Sequence, residues 1–210
     1  MRRGTQAGLV LLIAVLLSGC YEQGAKRDAY VPSTHAFELH EKALKALRES
    51  RVEEALTAID EALSFDPDYA AAHDTRAKVL ARQGNFAEAA AAESEVVRLE
   101  PELAEGHIFL GIFLELSGAP GEGKAAYGRA LERYEQMLAV KPLDPEGAVN
   151  RVIALYLSGG MLEANPVIHQ VLEQYPNHAW AQMVRDLVVE DDRAKFLKAV
   201  AAPADGAAGV

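Results

Sequence analysis

Apolar residues follow two patterns along this chain. At the start they form one unbroken run, Leu9 to Leu17, with Arg2 and Arg3 before it and small residues after it. That layout is the charged-then-apolar order of a secretion signal. The run is far shorter than the roughly 20 residues a helix needs to cross hydrocarbon. In the body, apolar positions recur with a long period. Four phrases close on a proline: "LSFDPDYA" at Pro67, "VRLEPELA" at Pro101, "LAVKPLDP" at Pro142 and "LEQYPNHA" at Pro176. The prolines are 34, 41 and 34 residues apart, and Gly84, Gly118 and Gly159 are 34 and then 41 apart. Such self-similarity predicts a stack of like units. Residues 179–200 have no closing proline. There Trp180, Met183, Leu187 and Val188 are placed to cover the last unit, while "EDDRAKFLK" is expected to turn a polar face outward. Residues 201–210, "AAPADGAAGV", read as a flexible tail.

The 34-residue interval resembles the tetratricopeptide (TPR) repeat, a helix-turn-helix unit, and the inner positions agree. Placing each proline at position 32 sets repeats at 36–69, 70–103, 104–144 and 145–178. Small residues then fall at position 8 in three repeats (Ala43, Ala77, Gly111) and at position 20 in all four (Ala55, Ala89, Gly123, Ala164). In the resembling family two helices cross there, and larger side chains would force them apart. Val152, at position 8 of the fourth repeat, and Ser50, at the first turn, depart from the pattern. The resemblance implies an all-α fold: a right-handed α-solenoid of about four TPR repeats with a C-terminal capping helix region over 179–200.

The odd interval carries its own expectation. Seven extra residues lie between Gly118 and Pro142. Counted forward from Gly118, positions 20, 24 and 27 are Gly123, Tyr127 and Ala130; counted back from Pro142, they are Ala130, Tyr134 and Met137. Seven residues are nearly two helical turns, so the apolar face keeps its phase, and the second helix of repeat three is expected to run on by about 10 Å. The extension reads either as neutral drift or as an altered pitch or docking ledge. Pro166 falls just inside the second helix of repeat four, which is tolerable if that helix starts late or kinks there.

Cysteine and charge narrow the setting. Cys20 is the only cysteine, so it has no disulfide partner in the chain, and no set of zinc ligands lies near it. Leu17-Ser18-Gly19-Cys20 resembles the lipobox of bacterial lipoproteins. That resemblance implies removal of residues 1–19, a diacylglyceryl group on Cys20 and a further acyl chain on the new amino terminus. Several chains together hold a protein firmly, since each buried methylene adds about 0.8 kcal/mol. Residues 20–35 then form the lipidated terminus and tether, with Gly24 and Pro32 in it. Tyr21 stands where an Asp would favour inner-membrane retention, so the expected location is the outer membrane, facing the periplasm. Without residues 1–19, the 21 basic residues lose Arg2 and Arg3 against 31 acidic ones, leaving −12. That balance argues against nucleic acid, whose phosphates need Lys and Arg, and leaves lipid as the expected membrane contact. No cofactor is expected beyond this covalent lipid.

Catalytic constellations are missing from the pattern. His40-Glu41 opens like a metalloprotease motif, but Leu44 stands where the second histidine would be. There is no G-x-S-x-G elbow and no phosphate-cradling glycine loop. His73 and His107 share position 4, and that equal register argues for packing. Acidic runs such as Glu53-Glu54 and Glu190-Asp191-Asp192 read as solvated helix faces. No enzyme is expected.

The TPR resemblance directs attention to the groove lined by the first helices of successive repeats. Its groove positions map to Asp74, Lys78 and Arg82, then Ile108, Ile112 and Glu115, then Val149, Ile153 and Tyr156. Ile108, Ile112, Val149, Ile153 and Tyr156 are expected to form one apolar stripe with Lys78 and Arg82 at a basic end. An open apolar stripe calls for a protein or peptide ligand. The alternative is closure by the capping region or by residues 21–35. The expected function is a lipid-anchored periplasmic scaffold binding a protein partner, with pilus or secretion assembly as family analogues. The rival reading is a regulatory subunit of a peptidoglycan synthase or hydrolase system.

Overall fold

Alanine and glycine set where the helices of this chain can meet. The computed structural model describes residues 30–178 and, beyond them, 181, 182, 185, 193, 194, 196 and 197. Cys20, Tyr21, Trp180, Met183, Leu187, Val188 and the 201–210 tail lie outside the described residues. Within residues 30–178 eight helices follow one another: α1 Thr34–Arg48, α2 Val52–Phe65, α3 Ala70–Arg82, α4 Phe86–Leu99, α5 Ala104–Leu116, α6 Pro120–Val140, α7 Pro145–Gly159 and α8 Met161–Gln174. Among the described residues there is no strand, and no helix is long and apolar enough to cross a membrane. The helices pack in consecutive pairs, and each pair stacks on the next. This is a helix-turn-helix solenoid.

Each pair closes over small residues. Ala43, Ala55, Ala77, Ala89 and Ala164 are fully buried. In the third pair the approach is closer still. A Cβ on Gly111 would stand 2.3 Å from the Tyr127 ring and 3.0 Å from the Gly123 carbonyl oxygen, and one on Gly123 would stand 2.7 Å from the Gly111 oxygen. Only glycine allows α5 and α6 to meet at this distance. Val152 takes the same register position in the fourth pair and is itself fully buried.

The seven extra residues are helical. α6 has 21 residues, against 14 each in α2, α4 and α8. Its buried face runs through Gly123, Ala126, Tyr127, Ala130 and Tyr134, so both counts of the register describe one continuous stripe.

The fourth turn differs from the others. Ser50, Gly84 and Gly118 hold positive φ in the first three pairs, but in the fourth the residue with positive φ is Gly160, not Gly159. Gly159 ends α7, and only Gly160 separates it from α8. The second helix still starts in the register of the other three, at Met161, with Pro166 inside it; of the two accommodations left open for Pro166, a late start is not the one taken. Pro166 removes the N–H that would meet the Leu162 carbonyl, and both residues are exposed, so water can take its place. Two helix starts, those of α1 and α7, are capped by side chains. Ser33 Oγ accepts from the Ala36 N–H and Asp144 Oδ2 from the Gly147 N–H, while Pro120 and Pro145 open α6 and α7. The largest apolar core extends from α3 through α8 and takes in Ala181, Phe196 and Leu197.

Candidate functional site

The first helices of the pairs present the residues assigned to the concave face. Ile108 and Ile112 come from α5, and Val149, Ile153 and Tyr156 from α7; all five join one apolar cluster. They are brought together but they are not open, since none is more than 2% exposed. The expectation of an exposed stripe is corrected. Phe196 and Leu197, both helical, are buried in the same cluster, and the Phe196 ring meets Tyr156 edge-on at 5.7 Å. Of the two closures the sequence left open, the C-terminal one is present. Uncovered aliphatic surface costs about 25 cal/mol per Å², which drives such a segment onto the stripe.

Arg193 fastens that segment. Its Nε donates to Glu115 Oε1 at 2.8 Å and its Nη2 to Glu115 Oε2 at 2.7 Å. Nη1 reaches the Tyr156 carbonyl at 3.1 Å, and Nη2 also reaches the Leu157 carbonyl at 2.5 Å. Those carbonyls belong to the last turn of α7, where backbone acceptors outnumber donors and the helix dipole is negative. The Tyr127 hydroxyl donates to Glu115 Oε2 at 3.1 Å, and the guanidinium lies 5.9 Å from the centre of the Tyr127 ring. Burial, then the Glu115 charge, raises the Tyr127 hydroxyl pKa, so it stays a donor. The hydrogen bonds that Arg193 donates to Glu115 raise the arginine's pKa in turn. The reading of "EDDRAKFLK" as an outward polar face missed this arrangement. Its signal was present as an arginine three and four residues before Phe196 and Leu197, a spacing that shares one helix face.

The expected basic end is also altered. Lys78 Nζ is 2.5 Å from Asp74 Oδ2 and lies 5.3 Å from the centre of the Phe109 ring. Arg82 Nη1 donates to the Leu47 carbonyl at 3.2 Å. Both cations thus serve contacts within the chain. Glu93 of α4 is fully buried, and neither of its carboxyl oxygens has a hydrogen-bond partner. Gly106 of α5 lies beside it, where a Cβ would stand in ordinary contact, 3.5 Å from Glu93 Oε1. Burial raises the Glu93 pKa well above its ordinary 4.5; Asp74 adds to the shift and Lys78 opposes it.

His40, His73 and His107 are engaged in contacts within the fold. His73 Nε2 donates to the Pro67 carbonyl at 2.8 Å, and His107 Nε2 to the Pro101 carbonyl at 3.0 Å. Each ties a helix start to the proline that closed the previous unit. Gln182 Nε2 makes the same bond to the Pro176 carbonyl at 2.7 Å, carrying the register into a fifth unit. His40 has both ring nitrogens engaged, with Tyr69 Oη and Thr75 Oγ1 each at 2.8 Å. Burial lowers the pKa of His40 and His107 and keeps both neutral near pH 7. Among the described residues no group of three His, Cys, Asp or Glu side chains is arranged to hold a metal ion. Beside the α6 extension, a cleft of about 180 Å³ lies between Leu138, Pro142, Arg151, Val167 and Val171.

No family model matches the chain. Several solved structures resemble it in fold. A thermophilic TPR protein of Thermus thermophilus is 22% identical, with 75% of this chain and 81% of that one aligned at a TM-score of 0.54. YrrB, described as a TPR protein with an unusual peptide-binding site, is 22% identical over 82% of this chain and 89% of its own, with a TM-score of 0.51. An O-GlcNAc transferase of Thermobaculum terrenum is 23% identical over 72% of this chain, with a TM-score of 0.53; this chain spans only 28% of it. At these identities the likeness concerns the fold, which is an all-α TPR solenoid.

Proposed function

We propose that this protein is a lipid-anchored adaptor of a bacterial envelope, tethered through Cys20 at the outer membrane, that recruits a protein partner through the concave face of its TPR solenoid. The observation that carries the recruiting half is the construction of that face. An apolar stripe from α5 and α7 ends in a carboxylate at its edge, Glu115, and both are engaged by a short helical segment. A surface that holds one helix by apolar burial and an ion pair has the chemistry of helix-in-groove recognition. YrrB, similar in fold, is described as having an unusual peptide-binding site, which supports a recognition role for such a solenoid. The anchoring half rests on Leu17-Ser18-Gly19-Cys20 behind its apolar run. No catalytic role is proposed.

Two measurements test the two halves. Cys20→Ala should leave the repeats folded and release the protein from membranes, or block its processing. Normal cleavage followed by extraction only in detergent would remove lipid from the account. Crosslinking of the lipidated protein in intact envelopes, followed by purification, should capture a partner in stoichiometric yield. That capture should be lost when Glu115 is changed to Arg.

A further inference from the structure

The segment lying over the stripe is held by a receptor built for it. Arg193, Phe196 and Leu197 are spaced to lie on one helix face, and all three are bound: the arginine at Glu115 and the end of α7, the ring against Tyr156, the leucine in the core. The guanidinium site is composite. A carboxylate, two helix-terminal carbonyls and the Tyr127 ring converge from three helices, α5, α6 and α7, and the Tyr127 hydroxyl orients the carboxylate. Three guanidinium nitrogens find acceptors there, which a lysine ammonium could not reproduce in one plane. These contacts bridge 78 and 36 residues of sequence, reaching past the last helix pair to the third. A segment that only sealed the solenoid end would need to cover α7 and α8.

We infer that the concave face is a helix-binding site whose resident occupant is the chain's own Arg193–Leu197 segment, and that an external partner enters by replacing it with the same chemistry. The partner is a protein helix carrying an arginine followed three and four residues later by an aromatic and an aliphatic side chain. The inference rests on the recruiting role proposed above and specifies its ligand. The resident segment competes at the high effective concentration of a tethered ligand, so the face is closed until a partner of this pattern is present in excess or binds more tightly. The acidic socket at Glu115 selects the arginine and sets its register, and the apolar stripe supplies most of the affinity.

The test uses the full chain and a fluorescent peptide of its own residues 188–200, VVEDDRAKFLKAV. A Phe196→Asp, Leu197→Asp double variant releases the resident segment. It should bind the peptide at least ~10-fold more tightly than the unaltered chain, because competition by the tethered segment is gone. A peptide with Ala in place of the arginine should lose ~10-fold or more on that variant, and Glu115→Gln should cause a similar loss. Arg193→Ala is the milder release. It should tighten peptide binding several-fold while helical circular dichroism and cooperative unfolding are kept, so the outcome does not depend on the double variant folding. Equal peptide affinity in the unaltered chain and in the Arg193→Ala variant would overturn the inference, as would loss of cooperative unfolding in that variant. A dimer of the unaltered chain with segments exchanged between copies, read by light scattering, would overturn it too. Failure to capture an envelope partner with these peptide results intact would instead refute the recruiting role and leave the binding chemistry standing.

Discussion

At the residue scale, Glu93 is the least expected feature. A carboxyl with no hydrogen-bond partner in the core is costly when charged, so burial favours its protonated form and raises its pKa. A raised folded pKa means that the folded state keeps its proton more tightly than the unfolded one. The associated stability is fully present below the ordinary value of 4.5 and is lost as pH rises through the folded pKa. Glu93→Met should therefore flatten the decline of thermal midpoint with rising pH. At pH 8 it should add about 1–3 kcal/mol, the usual cost of an unsatisfied buried polar group. Parallel pH profiles for the two proteins would contradict this. Gly111 makes the opposite case. Gly111→Ala should cost about 1–3 kcal/mol in denaturant unfolding, because its methyl would meet the Tyr127 ring and the Gly123 backbone at once.

At the element scale, the turns and the long helix carry the lesson. Gly160 has φ 80 and ψ −165, a region that side chains essentially exclude, and it alone links α7 to α8. Gly160→Ala should cost roughly 1–3 kcal/mol, whereas Ser50→Gly at φ 56 should be neutral or slightly stabilising. Matched chemical denaturation curves for the two variants would check the contrast. The length of α6 was legible beforehand because seven residues preserve helical phase, so an insertion of that size extends a helix without turning its buried face outward. The shift of the turn from Gly159 to Gly160 was not legible. Two adjacent glycines satisfy the local chemistry equally, and the packing of α7 against α8 decides between them.

At the scale of the whole molecule, occupation of the concave face changes what substitution there does. An open stripe would tolerate charge; a buried one does not. Ile112→Asp should unfold the chain or lower its thermal midpoint steeply, by about 3–5 kcal/mol, since Ile112 is fully buried within the apolar cluster and a carboxylate there would be stripped of water. An unchanged midpoint would mean that the face is open in solution. Lys78→Glu bears on the other end of the face. Its effect should come through loss of the Asp74 pair and the nearby Glu93 carboxyl, and should appear in stability before it appears in any association rate.

The sequence by itself determined the periodic part of this protein. Prolines and glycines at 34-residue intervals, with alanine or glycine where helices cross, specify local geometry that each unit repeats, and such information is carried within a few turns of chain. It also identified five apolar residues of the first helices that share one cluster, because register along each first helix is local. What covers that face was decided only by tertiary structure. Arg193 and Glu115 are 78 residues apart, and nothing periodic relates them. Their pairing depends on where the chain turns after the last complete unit, on the two carbonyls that the last turn of α7 presents to the guanidinium, and on the apolar area that would otherwise face water.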